Sequence, residues 1–322
     1  MEIKVHCVVS CFCEIIRRRS KVDYRPFYFG LWDGDFDITE EGVISYHSDN
    51  INHDSYLYWY EQLYGLKVHK WYDDSKSKQE NLETFLHLVE TKPEDRYVMV
   101  MVDMSLLPER ENKFHQKPFP HYLMISETEN ENEWFMFDPD FRWEGNMEKE
   151  KVIDSIVNNP FGGGFFIDVP TVQEPKQEVL ETYFLETFKK DYNELTVRLK
   201  ELIVNMVEKD ALSNLIPAVK QIPVLAIRKY SYEHAFAYFQ EAIGYSEDEF
   251  EYWCDRVEEI VQGFTNVQYK AIKMAMTKNT ALLPSIIEKL DEMDKVELKM
   301  KEELERQFIQ WKEIRTKEQV GL

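Results

Sequence analysis

Apolar positions along the chain keep two different rhythms. In the first half they come as short runs of aromatic and β-branched residues set between turn-forming residues. The leading runs are Tyr97–Asp103 (YVMVMVD), His121–Glu127 (HYLMISE), Trp134–Asp138 (WFMFD) and Phe165–Val169 (FFIDV). Runs of that length and composition predict strands, and Asn158–Gly164 (NNPFGGG) predicts a loop before the last of them. Asp168–Lys176, with Pro170 and Pro175, reads as a linker. Beyond it apolar residues recur every three or four positions: Leu180, Phe184, Leu185, Phe188, Tyr192, Leu195, Leu199 and Leu202 predict a helix over Glu178–Glu208. Tyr232–Ile243, Asp248–Thr277 and Ser285–Arg315 behave likewise. In the last, Leu290, Met293, Met300, Leu304, Phe308 and Trp311 form a stripe between charged faces, which predicts core packing or else a docking face. The expected class is α+β, with a mixed domain over residues 1–170 and an all-helical domain over 176–322.

Composition narrows the setting. A length of 322 residues suits two cores. The net charge of −21 repels nucleic acid and anionic membrane surfaces and favours cationic ligands, solubility being the plainer use of such a field. The apolar stretch Cys7–Cys13 is too short to span a membrane. It is followed by Glu14 and by Arg17, Arg18 and Arg19, which puts charge on the wrong side for a signal peptide. A cytoplasmic protein with no nucleic-acid partner and no membrane partner is expected. Four cysteines are too few for a disulfide scaffold, and the C-x3-C-x-C spacing of Cys7, Cys11 and Cys13 matches no zinc pattern, so no metal is expected.

Candidate chemistry begins at His6-Cys7. Val8, Val9, Phe12, Ile15 and Ile16 fall on one face at helical spacing, with Glu14, Arg17 and Arg18 opposite. Cys7 is therefore expected at or just before the start of a buried helix, where unpaired backbone N–H groups and the helix dipole favour a thiolate. That is what a nucleophilic cysteine needs, although a cysteine in such a place often only packs. The second part is Phe119–Gly145, two strand-like runs around the polar turn Thr128–Asn132, which predicts an antiparallel hairpin. A turn centred on Glu129-Asn130 sets His121 directly opposite Asp138 on one sheet face, so that the carboxylate holds the imidazole. A centre displaced by one residue favours Asp140 or the other face. A thiol, an imidazole and an acid are the parts of cysteine acyl chemistry: nucleophile, proton shuttle and orienting charge.

These pieces carry a resemblance. His6-Cys7 followed by a helix, Phe29–Phe36 (FGLWDGDF), His121-Tyr122 and Asp138-Pro139 resemble the papain-like N-terminal domain of the butirosin-type acyltransferases. Those enzymes move an acyl group from a carrier-protein thioester to an amine. Over most of its length the chain is also similar to the siderophore aroyl transferases of bacilli, which join a carrier-bound 3,4-dihydroxybenzoyl group to spermidine or a spermidine conjugate. The resemblance implies a papain-like domain with Cys7 as nucleophile, His121 as base and Asp138 as orienting acid. It also implies an aryl carrier protein as partner, with the substrate on its phosphopantetheine arm and no cofactor bound by the chain itself. Two features depart from the pattern: Cys11 and Cys13 are additional thiols, and the glycine-rich stretch after the first helix is reduced to Gly30 and Gly34.

On that resemblance the acidic composition gains a use. Asp33, Asp35 and Asp37, with Trp32 among the aromatics of their loop, are candidates to hold a polyamine, and Tyr122 is a candidate for the aryl ring. A solvated acidic turn and a core tyrosine are the plainer readings. Gly162-Gly163-Gly164 lacks the lysine and the strand–turn–helix context of a phosphate loop, which excludes nucleotide binding there and leaves a plain turn or a place where backbone approaches a ligand. The rival functions are a cysteine amidase or peptidase on the same three residues, and a non-catalytic module that binds a polyamine or a carrier.

Overall fold

The computed structural model describes residues 5–48, 50–51, 53–110 and 117–320; the outer ends of the two expected domains, 1–4 and 321–322, lie outside the described residues. Helix α1 (Cys7–Arg19) forms on the predicted periodicity, burying Val8, Val9, Phe12, Ile15 and Ile16 and ending on three arginines that complement its dipole. A two-stranded ribbon follows, β1 (Asp37–Ile38) with β2 (Ile44–Ser45). Next come α2 (Asp54–Tyr64), β3 (Val68–Lys70) and α3 (Lys78–Glu90), the last opened by a capping box between Ser77 and Glu80. The remaining elements of this half are β4 (Arg96–Asp103), β5 (Pro120–Glu127), β6 (Glu133–Asp138), β7 (Trp143–Glu148), α4 (Lys149–Val157) and β8 (Gly164–Asp168).

Six strands form one sheet in the order β3-β8-β4-β5-β6-β7, with every neighbour antiparallel. All four predicted strands are in it. The two outer ones, β3 (VHK) and β7 (WEGNME), carry no run of β-branched residues and owe their conformation to pairing with β8 and β6. Val98, Val100, Val102, Leu123, Ile125, Trp134 and Met136 build one core with Leu82 and Phe85 of α3 and Val152 of α4.

The second half is helical: α5 (Gln177–Thr187), α6 (Glu194–Glu208), the short α7 (Leu215–Ala218) and α8 (Ile222–Ala226), then α9 (Ser231–Ile243), α10 (Glu247–Thr277) and α11 (Leu283–Val320). The single helix expected over Glu178–Glu208 is broken between Thr187 and Glu194. The break exposes the Tyr192 carbonyl, which accepts from Lys301 Nζ at 2.7 Å, and Asn193 donates to Asp294 at 2.8 Å. These tertiary bonds replace the helical ones that periodicity alone would form. The α11 stripe from Leu290 to Trp311 is buried, as core packing requires, with Phe308 stacked on Phe184 at 4.2 Å.

The α+β class, sheet first and helices after, is the observed one. Packing gathers the chain into two compact units. One holds His6–Phe27 and Asp54–Lys176, with α1 to α4 and the six-stranded sheet; the other joins Tyr28–His53 to the helices from Gln177 onward. No helix among the described residues is long and apolar enough to cross a membrane.

Candidate active site

Cys7 is the first residue of α1, with His6 in extended conformation before it. Its N–H belongs to the first turn, where the helix offers no acceptor. The thiol is partly exposed, whereas Cys11 and Cys13 are buried. Cys11 Sγ lies 3.9 Å from the Tyr122 carbonyl and Cys13 Sγ lies 3.8 Å from the Tyr24 carbonyl. Burial pushes the Cys11 thiol well up from its ordinary value, and the charges at Cys7 and Asp138 add to this. The two additional thiols are thus held inside. One turn beyond Cys7, the Ser10 hydroxyl donates to Asp140 Oδ1 at 3.0 Å, which ties the start of the helix to the segment after β6.

The hairpin of β5 and β6 pairs Met124 with Phe137 and Glu127 with Trp134, so its turn centres on Asn130-Glu131, one residue later than expected. That displacement keeps Asp138 on the His121 face, because moving the centre by a whole residue shifts each partner by two. The expectation that such a shift would turn Asp138 away or favour Asp140 is corrected on this point. His121 and Asp138 meet diagonally, His121 Nε2 to Asp138 Oδ1, at 2.9 Å. Asp140 has left the strand and serves Ser10. With Nε2 committed to Asp138, Nδ1 is the ring nitrogen left for a second partner, and Cys7 lies near enough for its sulfur to act on the ring.

Asp138 is completely buried and both its oxygens are engaged. The Phe141 N–H donates to Oδ1 at 3.2 Å, and Arg110 Nη2 donates to Oδ2 at 2.9 Å. Burial opposes charge on His121, but the Asp138 carboxylate and the Cys7 sulfur outweigh it and raise the ring from 6.5 to about 10. The imidazolium is therefore the form held at neutral pH. Arg110, itself buried, spreads its guanidinium over the Trp143 ring at 4.6 Å; burial lowers its proton affinity, and Asp138 offsets that. Arg110 gave no signal in the sequence, since it sits in no periodic run and its partner is far along the chain.

Tyr122 lies buried on β5, stacked on Phe165 at 5.4 Å. The glycine run explains itself here. A Cβ on Gly162 would come within 2.0 Å of the Tyr72 ring, one on Gly163 within 1.9 Å of the Tyr122 hydroxyl, and one on Gly164 within 2.0 Å of the Trp71 ring. The three glycines are close approaches under three aromatic side chains.

The other candidates fall in the helical unit. The Asp33 side chain is buried, with Oδ2 at 2.6 Å from Lys301 and Oδ1 at 3.7 Å from Lys229. Lys229 also pairs with the buried Glu297 at 2.6 Å, and Tyr232 donates to that same carboxylate at 2.9 Å. The Asp33 charge is thus matched internally by two lysines. Trp32 is buried with its ring stacked on Tyr232 at 4.4 Å. Asp35 lends its carbonyl to Arg228 at 2.7 Å. Asp37 accepts from Ser48 at 2.6 Å and from Asn50 at 3.0 Å, bonds that lower its proton affinity. The structure brings Cys7, His121 and Asp138 together and gathers Tyr122 with them in the sheet unit, whereas Trp32, Asp33, Asp35 and Asp37 belong to the other.

Comparison with known proteins gives a consistent pair of matches. Residues 2–172 match the family described as the DUF6005 N-terminal domain and residues 178–321 the DUF6005 C-terminal domain. The chain is 72% identical to petrobactin synthase of Bacillus anthracis over 321 residues, which is 99% of this chain and 98% of that protein.

Proposed function

The chain belongs to the DUF6005 family, which spans both of its halves, and on that premise we propose that it is an amide-forming acyltransferase of siderophore biosynthesis. Its similarity to a petrobactin synthase supports the pathway. The buried His121–Asp138 pair, with Cys7 near enough for its sulfur to act on the ring, supports the chemistry and is the observation that carries the reading. The donor is a 3,4-dihydroxybenzoyl thioester on the phosphopantetheine arm of an aryl carrier protein, and the acceptor is an amine of spermidine or of a spermidine conjugate.

The reaction runs in two halves. With its proton already held by His121, the Cys7 thiolate attacks the thioester carbonyl, and a Cys7 thioester forms as the carrier sulfur leaves. The His121 imidazolium protonates that leaving sulfur. The acceptor amine then attacks the acyl-Cys7 carbonyl, His121 takes the ammonium proton, and the amide departs as the C–S bond to Cys7 breaks. Asp138 keeps the ring oriented and balances its charge in both halves. The strongly negative chain draws a polycationic acceptor towards it.

Incubating the protein with loaded carrier and no amine tests this directly. An intact-mass increase of one aroyl group, absent from Cys7→Ala, is expected. A Cys7→Ala variant with normal turnover refutes the nucleophile assignment. With spermidine present the product is the amide; release of free acid under those conditions identifies a hydrolase on the same residues.

A further inference from the structure

We propose that the Tyr122 hydroxyl is a donor of the oxyanion hole, acting together with the backbone N–H of Cys7. This rests on the acyl-transfer reading above and extends it to the group that stabilises the tetrahedral intermediates. The first observation is an imbalance. Tyr122 is 7% exposed, its ring is fixed on Phe165, and among the described residues its hydroxyl has no hydrogen-bond partner. The oxygen is not among the fully enclosed unpaired polar atoms of the described residues, so it is open at the site and within reach of a ligand. A substrate oxygen would supply the missing partner.

The second observation is placement. Helix α1 packs on β5, and Cys11, one turn past Cys7, points its sulfur at the Tyr122 carbonyl. The phenol is near enough to Cys7 for the sulfur's charge to act on it; burial first and Cys7 second push its proton affinity up, which keeps it a hydrogen donor. The third is Gly163. Its Cα approaches so closely that an added Cβ would sit 1.9 Å from the Tyr122 oxygen. Only glycine permits the hydroxyl to stand where it does, and contact with this backbone fixes the oxygen without using its proton.

The chemistry balances. When the Cys7 sulfur bonds to the carbonyl carbon, the π pair moves onto the carbonyl oxygen, and that oxyanion accepts from the Tyr122 O–H and the Cys7 N–H. Collapse returns the pair, breaks the carbon–sulfur bond to the carrier, and sends the leaving sulfur the His121 proton. The second half repeats the oxyanion as amine replaces Cys7. Tyr122 keeps its own proton throughout.

Tyr122→Phe removes the oxygen and keeps the ring. The assay uses the N-acetylcysteamine thioester of 3,4-dihydroxybenzoate with spermidine, alongside the rate of Cys7 alkylation by iodoacetamide, a reaction that forms no oxyanion. The expected result is a fall in kcat of about 10²–10³-fold with KM nearly unchanged and alkylation at the wild-type rate. An unchanged kcat, with Cys7→Ala inactive, overturns the oxyanion assignment and leaves the nucleophile reading intact. A parallel fall in kcat and alkylation also overturns it, since Tyr122 then only shapes the site. Full turnover by Cys7→Ala removes the underlying reading and the oxyanion assignment with it.

Discussion

Asp138→Asn is the sharpest perturbation of the site, because the carboxylate has a donor on each oxygen. His121 Nε2 is 2.9 Å from Oδ1 and Arg110 Nη2 is 2.9 Å from Oδ2. An amide can accept on one side only. If its oxygen faces Arg110, its NH2 meets Nε2 and forces the ring proton onto Nδ1, the nitrogen that must take the amine's proton. If its oxygen faces His121, its NH2 abuts the guanidinium, donor against donor, inside the core. The first arrangement leaves the wrong tautomer, for which a loss of about 10⁴-fold in kcat is the expected scale. Stability carries a second signature. His121 is raised from 6.5 to about 10, so its contribution is fully present below 6.5 and is lost as pH rises through about 10. Across that window the contribution is at most about 5 kcal/mol, less whatever the buried surroundings relax. Turnover of the N-acetylcysteamine thioester gives the first quantity. Urea unfolding of wild type and variant through the same pH window gives the second, read as the difference between them. A variant within tenfold of wild-type kcat, or two proteins with parallel stability profiles from neutral pH to about 10, would refute the reasoning.

Two further outcomes follow from other parts of the molecule. Lys229→Met strips the buried Glu297 of its 2.6 Å partner and should cost about 3–5 kcal/mol by urea unfolding, while Lys229→Met with Glu297→Met should recover most of that loss; equal losses in both proteins would contradict it. Limited alkylation of the native protein near neutral pH, followed by peptide mass mapping, should label Cys7 first. Cys11, pushed up by burial, and Cys254, raised to about 12 by burial and Glu233, should lag, and labelling of either ahead of Cys7 would contradict the assignment.

Much of this was legible in residues, and the misses have a common cause. Signals that repeat within a few positions carried over well: the α1 face, the four inner strands, the α11 stripe and the hairpin that joins His121 to Asp138. The turn centre was off by one residue, yet the face survived, because sheet parity depends on whole-residue steps and the hydrophobic alternation fixes it. Apart from Cys7 with His121, which the resemblance implied, partnerships across long separations did not show. Arg110 with Asp138, Ser10 with Asp140, and Asp33 with Lys229 and Lys301 join residues that no local pattern links. Asp33 illustrates the cost: in sequence it is one of three loop aspartates, while in the fold it is the buried half of an ion pair. The glycine run was open between a plain turn and an approach to a ligand; what it approaches is the chain's own Tyr72, Tyr122 and Trp71, which lie on other segments.

Arg110 has a consequence for how the ring can work. In the proposed cycle His121 alternates between imidazolium and imidazole, and only the neutral ring can take a proton from the amine. With Asp138 alone as partner, the neutral ring would leave a buried carboxylate of net charge −1, which is the costly state in a low-dielectric interior. The guanidinium at 2.9 Å changes that balance. The three groups then pass between net +1 with the ring charged and zero with it neutral, so the state that acts as base carries no uncompensated charge. Arg110 thereby restrains how firmly Asp138 makes His121 hold its proton, and a ring raised to about 10 can still release it during turnover. Orientation and proton affinity are set by the same carboxylate through two different oxygens, and this is why replacing it by an amide disturbs both at once.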